Sequence, residues 1–171
     1  NGNVSNWHYG HLQQLANSGA GMLILESTAV KMNGRITLKD LALANKKNES
    51  SLKNLIKHIR TISKIPLGIQ ISHAGRKGSA QIPWIKSNYP LKKNQKKWNT
   101  YAPSSIKRDS HWPKPKTLTI SQIKEIIIDY KKCAKRAKRI DFDCLEVHMA
   151  HGYLLHQFFS PISNKRKDIY G

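Results

Sequence analysis

Acidic residues are scarce in this chain: 10 Asp and Glu stand against 30 Lys and Arg in 171 residues, a formal net charge of +20. Cysteine is scarcer still. Cys133 and Cys144 form no CxxC and no metal-type spacing, which excludes a disulfide-stapled scaffold and fits a reducing, cytoplasmic setting. No apolar run approaches the ~20 residues of a membrane-spanning helix, so no membrane partner is expected. A signal-peptide pattern is also missing, although the first residue is Asn1 rather than Met. Neither GxGxxG nor GxxxxGK[ST] comes after any apolar run, which removes the Rossmann and P-loop readings. No self-similarity recurs at about 20–50 residues, which removes solenoids and propellers.

The basic excess makes an anionic partner such as RNA or DNA the first class to weigh. The cations are scattered from Lys31 to Lys167, with no RGG run, no zinc-finger spacing and no aromatic RNP-type strand. Lysine is enriched together with isoleucine and asparagine, as a general drift in residue usage produces, and such a drift coats a surface without naming a partner. No nucleic-acid partner is expected; a basic nucleic-acid-binding protein is the alternative class.

What is present alternates. "NWHYGHLQQLANSG" has Ser5 or Asn6 as a helix cap, with Trp7, Leu12 and Leu15 as its apolar side and Gly19 as its stop. "GMLILEST" is a short apolar run bounded by glycine, a buried strand. "NESSLKNLIKHIRTI" sets Leu52, Leu55, Ile56, Ile59 and Ile62 at helical spacing, and "PLGIQIS" is a second strand begun by Pro66. Residues 73–118 are proline-dotted and aromatic without a period, an ordered excursion that covers something, because disordered segments are poor in aromatics. Thr119 and Gln122 fit a capping box for a helix whose face is Ile123, Ile126, Ile127, Tyr130, Ala134 and Ala137. "DCLEVH" is the third strand. Helices alternating with short apolar strands predict a parallel sheet in an α/β architecture.

In a βα-barrel, chemistry sits at the C-terminal strand ends. Here those ends read Glu26-Ser27-Thr28, Gln70-Ile71-Ser72-His73 and His148-Met149-Ala150-His151. The two imidazoles of HxxH, with His73 as a third, raise a zinc reading and so a metal-dependent barrel hydrolase. HExxH and the HxH of such hydrolases are both missing, so no metal ligand is assigned. A lone histidine in such a place is ordinarily a hydrogen-bonded framework residue; three polar strand ends meeting on one rim favour a binding site.

"EVHMAHGYLLHQFFSPISNKRKDIYG" resembles the signature of the Old Yellow Enzyme family of flavin-dependent ene-reductases, H-x-x-[HN]-x-Y at a strand end and then a loop carrying Phe, Pro, Asn, Arg, Asp, Tyr and Gly at set intervals. His148, His151 and Tyr153 match the first part; Phe158 or Phe159, Pro161, Asn164, Arg166, Asp168, Tyr170 and Gly171 match the second. "NWHYGHL", "LILESTAV", "GIQISHAGRKG" and "YAPSSI" extend the likeness along residues 1–171, and His151 with "HAGRK" resembles the bacterial xenobiotic-reductase-like branch.

The resemblance implies a (β/α)8 TIM barrel of which this chain covers about strands 2–4, their helices and the long loop after strand 3, an N-terminal portion of an FMN-binding domain. It implies FMN as cofactor, NADPH or NADH as reductant, an activated alkene (an enone or nitro-alkene) as substrate, and room for a homo-oligomer of the intact enzyme. His148 and His151 would donate to the substrate's carbonyl or nitro oxygen, as in an oxyanion hole. Tyr153 would give the α-carbon its proton. Gln70 would meet the flavin's pyrimidine edge, and Ser27 would bring a backbone N–H near the flavin. For Gln70 a plain hydrogen bond inside the barrel is nearly as good a reading. Glu146 is read as structural and paired; His73, Arg76 and Lys77 as framework; His156 and "NKRKD" as loop-fixing and solvated. Three strands cannot close a barrel, so the chain alone is expected to be inactive.

Overall fold

The computed structural model describes residues 2–171. Its elements are α1 (Asn6–Ala16), β1 (Leu23–Ala29), α2 (Lys46–Ile62), β2 (Leu67–Ser72), α3 (Pro83–Lys86), β3 (Tyr101–Ala102), β4 (Lys116–Thr117), α4 (Ile120–Arg139), β5 (Cys144–Val147) and α5 (Leu154–Phe159). Strands β1, β2 and β5 form one parallel sheet in that order. Parallel neighbours need a crossover: α2 makes the first, and the long excursion with α4 makes the second. The expected alternation holds.

Period-two placement divides the sheet into unlike faces. Leu25, Leu67, Ile69 and Ile71 point to the helix side and are buried with Leu52, Leu55, Ile56 and Ile59 of α2 and Cys133 and Ala137 of α4. Each such aliphatic side chain contributes roughly 1.5–3 kcal/mol relative to exposure. Ile24, Glu26 and Glu146 lie on the open face, and Leu145 and Val147 on the β5 edge are exposed as well.

Two helix faces differ from their sequence readings. On α1 the buried stripe is His8, Leu12 and Ala16, spaced by four, while Trp7 is 59% exposed and stacks on His11 at 4.4 Å. Tryptophan found an imidazole on the surface instead of the core. On α4, Ile123, Ile126, Cys133 and Ala137 are buried, and Ile127 is exposed because it faces away from β2. The Thr119/Gln122 capping box forms as read. Helix α2 begins earlier than "NES", with Asn45 as its cap accepting from the Asn48 N–H at 3.0 Å.

The excursion is ordered by pairing and by buried anchors. β3 and β4 pair in parallel, Trp112 is buried, and Trp98 donates to the Asn33 carbonyl at 3.0 Å. Arg166 corrects the solvated reading of "NKRKD": it is buried, donates to the Pro103 and Leu118 carbonyls at 2.9 and 2.6 Å, and pairs with Asp168. It ties the C-terminal loop to the excursion. None of the described helices is long and apolar enough to cross a membrane.

Candidate active site

β5 ends by handing its ladder to a tight turn. The His148 N–H donates to the Ile71 carbonyl at 3.0 Å, extending the β2–β5 pairing by one residue. The Ala150 N–H then donates to His148 Nδ1 at 3.2 Å. That bond makes Nδ1 an acceptor and puts the proton of the neutral ring on Nε2. His148 Nε2 lies 3.2 Å from His151 Nδ1, with the rings edge to face. Burial first, and His151 second, hold the His148 imidazolium below its ordinary range, so at neutral pH it is an uncharged donor.

The turn itself needs unusual backbone. His151 and Gly152 have φ of +54° and +68°, the left-handed region that costs most side chains energy. Gly152 also lies beneath Lys77, whose Nζ would be 3.2 Å from an added Cβ. The chain then reverses so that Tyr153 becomes the N-cap residue of α5, its ring edge to face with His148 at 4.8 Å. Burial first, and the Asp40 charge second, raise the Tyr153 phenol above its ordinary value, while Arg108 opposes them. The phenol therefore keeps its proton at neutral pH. The sequence grouped His148, His151 and Tyr153, and the structure places the three rings side by side.

Gln70 and Ser27 are nearby on the sheet. Gln70 Nε2 donates to Glu146 Oε1 at 2.9 Å across paired strands, which supplies the partner expected for Glu146. Gln70 Oε1 makes no hydrogen bond among the described residues. The Ser27 hydroxyl is 2.6 Å from that of Ser72. The β1–β2 register skips from Leu25 to Thr28, so Glu26 and Ser27 bulge out of the ladder, as strands do near functional sites. His73 is not brought to the histidine pair: it is buried against Gly34, with Nδ1 accepting from the Gly75 N–H at 3.1 Å. The described residues hold no cluster of three metal-ligating side chains.

A cleft of about 750 Å³ runs from Tyr153 past Asp40 and Glu26 to Trp84 of the excursion. Asp40 is consumed by its own loop, accepting from the Ile36 and Thr37 N–H groups at 2.6 and 3.1 Å. His8, to which the sequence assigned no role, reaches this cleft with Nε2 3.3 Å from Glu26. Gln157 was also missed. It is buried, donates to the Gly152 carbonyl at 2.7 Å and accepts from the Arg76 N–H at 3.3 Å, pinning the His151 turn to the β2 end. Lys77 donates to the His151 carbonyl at 2.5 Å and lies 5.7 Å from the Tyr153 ring centre. The signal for Lys77 was its place shortly after β2; nothing local in the sequence marked Gln157.

Comparison with known proteins sharpens this geometry. An NADH:flavin oxidoreductase of Gibberella zeae is 42% identical over 99% of this chain and 42% of its own length. An NADPH dehydrogenase of Listeria welshimeri is 41% identical over 99% of this chain and 45% of its own length. The chain thus spans less than half the length of these curated relatives. Among solved structures, a morphinone reductase variant in complex with tetrahydroNAD matches with a TM-score of 0.82 at 23% identity, covering 99% of this chain and 47% of that one. An Old Yellow Enzyme from Pichia matches with a TM-score of 0.81 at 22% identity, covering 99% of this chain and 44% of that one. These two carry the fold, a partial TIM barrel. With residues 1–171 matched throughout, the chain belongs to the NADH:flavin oxidoreductase / NADH oxidase family.

Proposed function

We propose that this chain is the part of an FMN-dependent NAD(P)H oxidoreductase that binds and protonates an activated alkene. The observation that carries the reading is the trio of His148, His151 and Tyr153 at the end of β5, two imidazoles 3.2 Å apart beside a phenol that holds its proton.

The residues present fit FMN. The open sheet face offers Gln70 Oε1, unengaged and suited to an N–H of the flavin pyrimidine edge. The bulge at Glu26-Ser27 leaves backbone outside the ladder where a planar ring can approach. Gln70 and Ser27 are therefore the proposed flavin-holding residues, and bound FMN would supply a hydride, taken from NADPH or NADH, to the alkene β-carbon. The remaining chemistry belongs to the protein. His148 Nε2–H and an N–H of His151 bind the substrate's carbonyl or nitro oxygen and stabilise the negative charge that develops there. The Tyr153 O–H protonates the α-carbon, and the excursion lines the cleft with Ile82, Pro83 and Trp84. The net change is one hydride and one proton added across C=C.

Tyr153→Phe in the FMN-loaded full chain tests the reading. It keeps the ring and removes the proton, so alkene reduction should slow about 10²–10⁴-fold. Flavin reduction by NAD(P)H needs no carbon protonation and should change little. Equal slowing of both half-reactions in stopped flow, or of neither, would remove Tyr153 as the proton donor.

A further inference from the structure

The net charge of +20 is spread over the surface, but at one place it is concentrated and built. Lys77 and Arg108 lie beside Tyr153, and Arg76 lies near both of them, each of the three half-buried. None of the three comes within ion-pair distance of a carboxylate among the described residues. Arg76 donates to the Ile106 and Lys107 carbonyls at 3.3 and 3.1 Å, and Lys77 to the His151 carbonyl. Carbonyl oxygens satisfy donors without cancelling charge. Arg108 lacks even that: its guanidinium lies 4.6 Å over the Trp112 ring and makes no hydrogen bond among the described residues. A planar fork of five donors is thereby held on an aromatic platform, partly desolvated and without a hydrogen bond among the described residues.

The arrangement carries an electrostatic cost. Burial first, and the neighbouring cations second, depress Arg76 and Lys77 below their ordinary values. The nearest acids relieve it only in part: burial lowers Arg108, and the Tyr153 and Asp109 charges oppose that. Asp109 is exposed and turned to Ser110, and Asp40 approaches Tyr153 already saturated by Ile36 and Thr37. Three like charges drawn together, with one exposed carboxylate near Arg108 and none in ion-pair contact among the described residues, favour an anion.

We propose that Arg108, with Arg76 and Lys77, forms an anion subsite that selects alkenes bearing a carboxylate a few bonds from the carbonyl held by His148 and His151. The subsite rests on the reading of that trio as the substrate-binding group. A phosphate of the nicotinamide reductant shares the chemistry. The carboxylate is favoured because Lys77 bonds to His151 itself, whereas the phosphates of a dinucleotide lie far from its reactive ring.

The test is calorimetric and needs no turnover. The full chain, with FMN and without, is titrated with 4-oxopent-2-enoate and with its methyl ester, and separately with NADPH and NADH. One or two charge-assisted bonds predict an acid-over-ester preference of about 10- to 100-fold, weakened by salt. Arg108→Gln should abolish the preference and Arg108→Lys should retain most of it. Equal binding of acid and ester, no binding of either, or a preference that survives Arg108→Gln would overturn the subsite. If Arg108→Gln instead erases a preference for NADPH over NADH and leaves the acid preference intact, the carboxylate assignment is overturned in favour of the reductant. Acid preference in a protein that never reduces the alkene would support the subsite and bring down the reductase reading alone.

Discussion

Two neighbouring strands end in the same way and are put to different uses. At the end of β2, His73 Nδ1 accepts the N–H of Gly75; at the end of β5, His148 Nδ1 accepts the N–H of Ala150, in both cases two residues on. Each ring is thereby held as a neutral Nε2–H tautomer. Past that bond the two ends diverge. His73 is sealed beneath Gly34, whose absent side chain is the space the ring occupies. His148, buried too, meets an exposed His151 and a half-buried Tyr153. Side-chain type and local bond are shared, so what separates the two ends lies beyond Nε2: packing in one case, a second imidazole and a phenol in the other.

The largest break in this comparison should be kinetic. On the proposed reading His148→Ala removes a donor to the substrate oxygen, and losing one such donor typically costs about 10²–10³ in rate, or about 3–4 kcal/mol. His73→Gln, which keeps an acceptor for Gly75, should lower stability and leave the rate constant for alkene reduction within a few-fold in the protein that folds. Stopped-flow on both variants compares them directly. A loss at His73 matching that at His148 would mean the two strand ends share one site.

Next in size is a pH effect that belongs to His73. Burial first, and the Lys31 charge second, lower its pKa from 6.5 to about 4. Between those values the unfolded chain binds a proton that the folded chain refuses, so this contribution is complete above about 6.5 and is lost as pH falls toward 4. The difference corresponds to roughly 3 kcal/mol. Denaturant midpoints at neutral and acidic pH should diverge in the parent and converge in His73→Gln; parallel behaviour of the two would place the proton elsewhere.

Smaller again is Gly34→Ala. An added Cβ would sit 2.7 Å from His73 Cδ2, and overpacking of that kind costs about 1–3 kcal/mol. Shortening the facing ring should relieve it, so Gly34→Ala combined with His73→Ser should be less than additive in a double-mutant cycle. Strict additivity would show that the ring moves aside without cost.

The same contrast explains what could be read from sequence. The strands, the α4 capping box and the His148-His151-Tyr153 trio were legible because each is set within a few residues by period, cap or turn. The family resemblance supplied the roles. The α1 face was misread because Trp7 satisfies itself on His11, a surface stack that hydrophobic spacing cannot distinguish from core. The Arg166 and Lys77 bonds and the role of Gln157 were not legible for another reason. Their partners lie 63, 81 and 74 residues away, and the pairing exists only after the sheet brings β2, the excursion and the β5 turn together.

The smallest expected effect is the most discriminating for the open strand end. His151 sits at φ +54°, where a side chain with a Cβ pays roughly 1–2 kcal/mol and asparagine is among the residues that tolerate it best. His151→Asn should therefore leave stability unchanged or raise it by a few tenths of a kcal/mol, well within the typical range for a tolerated surface change. On the proposed reading an amide N–H can replace the imidazole N–H toward the substrate oxygen, so alkene reduction should fall by less than about tenfold, well short of the loss of a whole donor. A separate readout identifies the cause. His148 is held low by burial first and by His151 second, so removing the second imidazole should raise the His148 pKa toward its ordinary value while burial keeps it below. Ring-proton NMR across the acidic range tracks that titration in the absence of substrate. No movement of His148 in His151→Asn would mean that the two rings, 3.2 Å apart at Nε2 and Nδ1, do not share charge, and the pair would then have to act on the substrate oxygen as independent donors.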